Sequence, residues 1–413
     1  MGNISHRLLA IAVAGALAAV SMAQPPEIPV RMTAATDRCA DLAEQRDLGT
    51  LPLRKEPQAS RPVADGPPGA PLRPRVKPRK PAGLAFDPVV HTGRIVLKLA
   101  DDEGFGVDAV GALTAAVPER AARVAAAIDQ VLGPTDIARI FTRREIDLAF
   151  ERLCGERWIG SEMPDLSQFF LLRPVEKTDS TQLEAMVGDL TTLPYIESVY
   201  FEGRSAPPAI GGAATAQKLE TFENLQGYLG PAPWGIDARF AWTRPGGTGA
   251  HARVWDIEIG WNLNHEDLPA PFMLLGTPGA VPKWTRHGTA VLGILGARLN
   301  GIGVVGIARD AAFGLSASDE ENATVPAAIN LALANSLPYD IILIERQIAG
   351  PLIQVQEPGE ACGEFSSGRA MVAAEYDDAV FAAIQVAVAN RGVVVESAGN
   401  GASDLGGPEF VGR

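Results

Sequence analysis

Apolar and polar residues follow two different periods from about residue 91 onward. Alternating or continuous apolar runs predict strands at Arg94–Leu99, Gln168–Arg173 and Tyr195–Phe201. Helical spacing of apolar residues predicts helices at Pro118–Leu132 and Asp179–Thr192. The order strand, helix, strand, helix, strand predicts a small α+β domain, a sheet with helices on one face.

Strands and helices alternate again in the C-terminal part of the chain. The predicted elements are Ala252–Ile257, Gly288–Leu299, Ala311–Ser316, Val325–Ser336, Asp340–Ile344, Tyr376–Asn390 and Gly392–Glu396. This alternation predicts an α/β fold, a parallel sheet with helices on both faces. Functional sites of such sheets lie at the carboxyl ends of the strands.

The N-terminus has the pattern of an export signal. His6 and Arg7 precede the apolar stretch Leu8–Val20, and the small residues Ser21 and Ala23 frame a cleavage site. We therefore predict a signal peptide over residues 1–23 and a secreted protein, either extracellular or periplasmic. The apolar stretch is shorter than the ~20 residues that a membrane span requires.

A proline-rich basic stretch separates the signal from the globular part. Residues 51–82 contain nine prolines and eight Lys or Arg against two acidic residues. Missing backbone donors and repulsion between like charges predict a disordered linker over residues 24–90. The alternative is that its basic side chains bind an acidic surface, including one on the protein itself.

The globular part divides at a Gly/Ala-rich stretch. We predict one domain at 91–206, a linker and processing region at 207–233, and a second domain at 234–413. The net charge of -13 and the pI near 5.0 argue against nucleic acid as a partner. No later segment is apolar enough to span a membrane, and the spacing of the three cysteines matches no metal site.

Three motifs in the second domain carry candidate chemistry. Asp256 ends a predicted strand, His287 opens a predicted helix of small residues, and Asn400 follows a buried strand. Each has a structural alternative: a strand-end Asp commonly caps a helix, a His at a helix start caps it as well, and an Asn between glycines forms a turn.

Together the three motifs resemble the subtilase family of serine proteases. The matching segments are Trp234–Trp242, the Asp256 strand with its His265-Glu-Asp-Leu268 tail, His287-Gly-Thr289, Gly301–Ala308 and Ala398-Gly-Asn400. The resemblance implies a subtilisin-like parallel sheet and hydrolysis of a protein or peptide substrate. The sequence assigns no cofactor and no metal ligands: calcium is common as a structural ion in this family, but no acidic loop here has its ligand spacing. The resemblance also implies that the preceding domain is an inhibitory propeptide, an intramolecular partner.

The resemblance assigns a role to each candidate. His287 would be the general base, Asp256 would orient it, and Asn400 would donate a hydrogen bond to the oxyanion. Where most subtilases have Asp-Thr-Gly or Asp-Ser-Gly, this chain has Asp256-Ile-Glu258. Glu258 would then either raise the pKa of the base or face solvent.

The serine nucleophile is the largest departure from the family pattern. The family places it in a Gly-Thr-Ser motif well beyond the Asn, and the sequence ends at Arg413. Ser366, Ser367, Ser397 and Ser403 lie in no such motif. We therefore expect this chain to end before the nucleophile and to be inactive as it stands. The alternative is a non-catalytic pseudoprotease, or a propeptide-type binding or inhibitory protein.

A dinucleotide site is a further alternative, because Gly301-Ile-Gly-Val-Val-Gly306 fits the spacing of a Rossmann fingerprint. That fingerprint needs a strand before the glycines and a helix that opens on them. Here a predicted helix precedes them, which argues against the fingerprint.

Overall fold

The structure is a computed structural model. It describes residues 71–78, 86–101, 103–175, 180–207, 221–319, 324–352, 369–401, 404–407 and 410. The predicted signal peptide, most of the predicted linker, and residues 208–220 of the predicted processing region lie outside this range. All described residues belong to one compact unit that runs from Pro52 to Arg413.

The first half of the described chain forms a four-stranded antiparallel sheet in the order β4-β5-β1-β6. Its elements are β1 (His91–Leu99), β2 (Gly106–Val107), β3 (Leu113–Thr114), α1 (Pro118–Leu132), β4 (Thr135–Arg139), α2 (Glu145–Ile159), β5 (Phe169–Pro174), α3 (Ser180–Leu190) and β6 (Ile196–Gly203). The predicted strands and helices are all present here. The sequence pattern missed β4 and α2, as well as the two-residue hairpin of β2 and β3.

Both faces of the antiparallel sheet are buried. Ile95 and Leu97 of β1 and Phe170 of β5 pack against α1 and α3. Val96 and Phe169, on the opposite face, belong to a core that includes helices of the parallel sheet described below. Because successive side chains of a strand point to opposite faces, burial on both sides produces the continuous apolar runs of these strands.

The second half forms a five-stranded parallel sheet in the order β14-β11-β8-β10-β9. Its elements are α4 (Ala238–Ala241), β8 (Arg253–Glu258), β9 (Met273–Leu275), α5 (Pro282–Gly296), β10 (Ala312–Ala317), α6 (Val325–Ala334), β11 (Ile341–Ile344), α7 (Asp378–Ala389) and β14 (Val393–Glu396). The predicted α/β fold with a parallel sheet and helices on both faces is confirmed.

The two faces of the parallel sheet pack on different helices. Trp255 and Ile257 of β8 pack with α6 and α7, in the core shared with the antiparallel sheet. Val254 lies on the other face, with Leu292 of α5. By the alternation of the strand, Asp256 and Glu258 share the face of Val254 and point toward α5.

A small sheet links the two halves of the chain. Strand β12 (Gln347–Leu352) pairs antiparallel with β7 (Ser205–Ala206) on one side and with β13 (Arg369–Ala373) on the other. Strand β7 directly follows the antiparallel sheet in sequence, whereas β12 follows the carboxyl end of β11.

Residues 71–78 fall in the predicted linker 24–90, yet the structure places them against the antiparallel sheet. The guanidinium of Arg75 is almost fully buried and forms ion pairs with Asp101 and Glu197. In this stretch the structure agrees with the alternative interpretation, in which basic side chains bind an acidic surface of the protein itself. Within the described residues, no helix has both the length and the apolar character needed to cross a membrane.

Candidate active site

The candidate site lies at the carboxyl edge of the parallel sheet. Glu258 is the last residue of β8, and it pairs in register with Ala317, the last residue of β10. Ile344, at the end of β11, pairs with Ile257. Because parallel strands end at one edge, the residues that follow them converge there.

His287 reaches this edge from α5, which packs closely on the end of β8. The helix begins at Pro282, so His287 lies in its second turn and not at its start as the sequence predicted. The next residue, Gly288, explains the close approach. A Cβ at Gly288 would lie 2.4 Å from the carbonyl oxygen of Gly260 and about 3 Å from the indole of Trp261.

His287 contacts Glu258, not Asp256. Nδ1 of His287 lies 2.6 Å from Oε1 of Glu258, and the two residues are 5% and 0% exposed. With the carboxylate as acceptor, Nδ1 is the donor and Nε2 carries the lone pair of the neutral ring. The carboxylate at Nδ1 of His287 is thus that of Glu258, where the resemblance implied Asp256. The alternative that Glu258 faces solvent is wrong.

Asp256 lies on the same face of β8, two residues before Glu258 and farther from the carboxyl edge of the sheet. Its Oδ2 accepts a hydrogen bond of 2.8 Å from Nε1 of Trp261, and its Oδ1 has no hydrogen-bond partner. Burial, and secondarily the charge of Glu258, raises the pKa of Asp256 well above its usual range. Burial therefore disfavours the ionised form of Asp256, and its hydrogen-bond contact is with Trp261.

The sequence carried a signal for Glu258 that the motif comparison missed. Two residues after Glu258 comes Gly260, so Glu258-Ile-Gly260 has the spacing of the family's Asp-x-Gly, with Glu in place of Asp. Gly260 also fits that motif sterically, because a Cβ there would lie 2.5 Å from the carbonyl oxygen of Gly279. If Asp256 is taken as the Asp of the motif, its third position is occupied by Glu258 and not by glycine.

Two further charged residues follow β11 at this edge. Burial raises the pKa of Glu258 well above its usual range, and the positive charge of Arg346 opposes that shift. Burial likewise raises the pKa of Glu345, opposed by the charge of His287. Glu345 and Arg346 thus belong to the electrostatic surroundings of the His287–Glu258 pair, and the sequence analysis assigned neither to the site.

Asn400 follows β14, two strands away from β8 in the sheet. It is exposed, and its backbone N–H donates a hydrogen bond of 2.9 Å to Oε1 of Gln347 on β12. Gly399 has a φ of 84°, and a Cβ there would lie 2.5 Å from the carbonyl oxygen of Met371. The structure brings Asn400 to the edge that holds His287, and its role as oxyanion donor stays a prediction.

Of the four serines considered from the sequence, the structure describes Ser397. It follows β14 as predicted, and its Oγ donates a hydrogen bond of 3.0 Å to the carbonyl oxygen of Arg346. Ser366, Ser367 and Ser403 lie outside the described residues. No serine of the described part is assigned as nucleophile.

The described residues contain no cluster of three or more His, Cys, Asp or Glu that could bind a metal ion. Gly301–Gly306 lies in the stretch between α5 and β10, and the described residues that follow it up to β10 form no helix. Val304 there donates its N–H to Asp267 Oδ2 at 2.9 Å. This geometry lacks the strand before the glycines and the helix after them that a dinucleotide fingerprint requires.

No protein-family model matches the chain, and no curated protein matches it. Among solved structures, the chain is similar to the crystal structure of MycP1 from the ESX-1 type VII secretion system, with 16% sequence identity and a TM-score of 0.27. The match covers 49% of this chain and 51% of that chain, about half the length of each. Similarity at this level carries no functional argument, so the site is interpreted from its own geometry.

Proposed function

We propose that the chain carries the base and the orienting carboxylate of a subtilisin-type serine endopeptidase, with His287 as general base and Glu258 in the role of the family's Asp. The contact of 2.6 Å between Nδ1 of His287 and Oε1 of Glu258 carries this proposal. A carboxylate at Nδ1 fixes the tautomer that leaves Nε2 able to accept a proton. It also stabilises the imidazolium that forms when a hydroxyl is deprotonated.

The segment 91–206 fits the role of an intramolecular propeptide. Its last strand, β7, lies along β12, and β12 follows the carboxyl end of β11, next to the site. An extended peptide bound in this way gains affinity from main-chain hydrogen bonds. The proposal therefore includes an exported precursor whose own chain occupies the edge strand where a protein or peptide substrate would bind.

The orienting pair is tested by proton NMR of the full chain. A proton held between an imidazole Nδ1 and a buried carboxylate gives a strongly downfield resonance, because the charged acceptor shortens and polarises the hydrogen bond. We expect Glu258→Gln to abolish this resonance. The matched control Asp256→Asn retains an acceptor for Trp261 and should leave the resonance in place. Loss of the resonance in Asp256→Asn, with retention in Glu258→Gln, would restore Asp256 as the orienting residue.

The nucleophile is tested with a serine-directed fluorophosphonate probe. The one described candidate, Ser397, donates its hydroxyl to a carbonyl oxygen, so we expect no labelling of the 413-residue chain. Labelling that disappears in His287→Ala would show that the chain supplies its own serine. Absence of labelling together with an intact His287–Glu258 resonance favours the second function, a pseudoprotease that binds peptides without hydrolysis.

A further inference from the structure

The tail of the antiparallel half, residues 205–207, lies on the edge of β12. Ala206 pairs with Gln347 and Ser205 with Ile348, so the tail runs antiparallel to β12 and toward the end of β11. The side chain of Gln347 donates to the carbonyl oxygen of Pro207 at 3.4 Å. Main-chain pairing of this kind holds an extended segment but does not distinguish one sequence from another.

Arg346 contacts the side chain of Ser205 in this tail. Its guanidinium donates to the carbonyl oxygen of Ser205 at 3.1 Å and also to the Ser205 hydroxyl. The guanidinium also donates to the carbonyl oxygen of Ser318 at 3.2 Å. Arg346 is only 1% exposed, so the bound tail helps to enclose a permanent positive charge.

A buried guanidinium favours acceptors, and most of all charged ones. Arginine keeps its proton at every accessible pH, and its planar group matches a carboxylate with two parallel hydrogen bonds. The acceptors that the tail offers here are uncharged. Ser205 is half-buried, so part of its surface is open to solvent beside Arg346.

We propose that Arg346 determines the specificity of the β12 edge: it selects peptides with a carboxylate or hydroxyl side chain at the position that Ser205 occupies. This inference rests on the proposed function, because it treats the tail as a stand-in for substrate. An aliphatic side chain there would offer the guanidinium no side-chain acceptor, and a basic side chain would repel it.

The tail itself is the probe for the test. Hydrogen exchange of the backbone amides of 203–206 is measured in the full chain for Ser205→Asp, Ser205→Asn and Ser205→Leu, with the amides of β1 as the internal reference for global opening. Asp and Asn have nearly the same size and differ in charge. We expect exchange in Ser205→Asp to be about tenfold slower than in Ser205→Asn, as a charge-assisted hydrogen bond implies, and fastest in Ser205→Leu.

The same comparison in an Arg346→Met background identifies the cause. The advantage of Asp over Asn should disappear there, and Arg346→Lys should restore part of it. Two outcomes would overturn the proposal. One is an equal exchange rate in the Asp and Asn variants with native Arg346, and the other is slower exchange in the Asp variant that persists in Arg346→Met. The exchange readout needs no catalysis, so it stands or falls separately from the NMR test of His287 and Glu258.

Discussion

At the scale of single residues, Asp377 joins the two halves of the molecule. Its carboxylate caps α7 by accepting hydrogen bonds from the N–H groups of Ala379 and Val380, and it accepts one of 2.9 Å from the hydroxyl of Tyr200 on β6. Despite these donors, burial raises the pKa of Asp377 to about 6 from 3.8, with the charge of Asp378 adding to the shift. The ionised form is therefore more costly in the folded protein than in the unfolded chain.

A raised pKa of this kind makes stability fall as pH rises. Below about pH 4, Asp377 is protonated in both states; between about pH 4 and 6 the unfolded chain releases the proton first, which favours unfolding. The shift from 3.8 to about 6 corresponds to a loss of about 3 kcal/mol, complete above about pH 6. We expect Asp377→Asn, which keeps a cap, to gain stability relative to the native protein over this range in urea unfolding. If the free energy of unfolding of the two proteins changed with pH in the same way, Asp377 would not have a raised pKa.

The pair Asp256 and Glu258 shows what a sequence can and cannot predict at this scale. The sequence pattern predicted Asp256 as the carboxylate beside His287, whereas the structure places Glu258 there. Residues two apart on a strand share a face, so periodicity does not distinguish them. The two residues lie about 7 Å apart along the strand, so only one of them can reach Nδ1 of His287. Which one does so depends on how closely α5 packs on the sheet.

At the scale of elements, Gly288 on α5 sets how closely the helix approaches the sheet. The sequence predicts a helix of small residues here, and at Gly288 a Cβ would lie only 2.4 Å from the carbonyl oxygen of Gly260. Gly293, on the same helix, is different. A Cβ there would meet its nearest atom, a methyl group of Leu268, at an ordinary distance of 3.8 Å.

These two glycines give a matched pair of substitutions. Gly288→Ala should push α5 away from β8, lower the free energy of unfolding by about 2 kcal/mol or more, and weaken the His287–Glu258 resonance. Gly293→Ala adds helix propensity without a clash and should be neutral or stabilising by up to about 1 kcal/mol. The measurement is urea unfolding together with the NMR test. Equal destabilisation by both would mean that helix packing depth does not position His287.

Elements without a clear period escaped the sequence analysis. Helix α2 buries Glu151, which forms an ion pair with Arg143, so its inner face is not uniformly apolar. Strand β12 was not predicted from the sequence, and the structure shows it as the strand on which β7 lies. Both depend on partners distant in sequence, which a local pattern does not report.

At the scale of the whole molecule, the two sheets share one apolar core. Val96 of β1 and Leu171 of β5 join Ile329 of α6 and Val386 of α7 in a single buried cluster. A polar contact adds to it, because the side chain of Asn390 donates to the carbonyl oxygen of Glu151. Burial of this kind is the main source of cohesion between packed layers.

This shared core predicts that the segment before residue 207 stays bound after the chain is cut. A site for a specific protease, introduced between Pro207 and Thr221, would separate the two parts covalently. Because apolar burial holds them, we expect the fragments to elute together in gel filtration at micromolar concentration, also in 1 M salt, and to separate only in urea. Before the cut, the described unit should unfold in a single transition. Fragments that elute apart in buffer alone would contradict the propeptide role, because an inhibitor that leaves on cleavage no longer occupies β12.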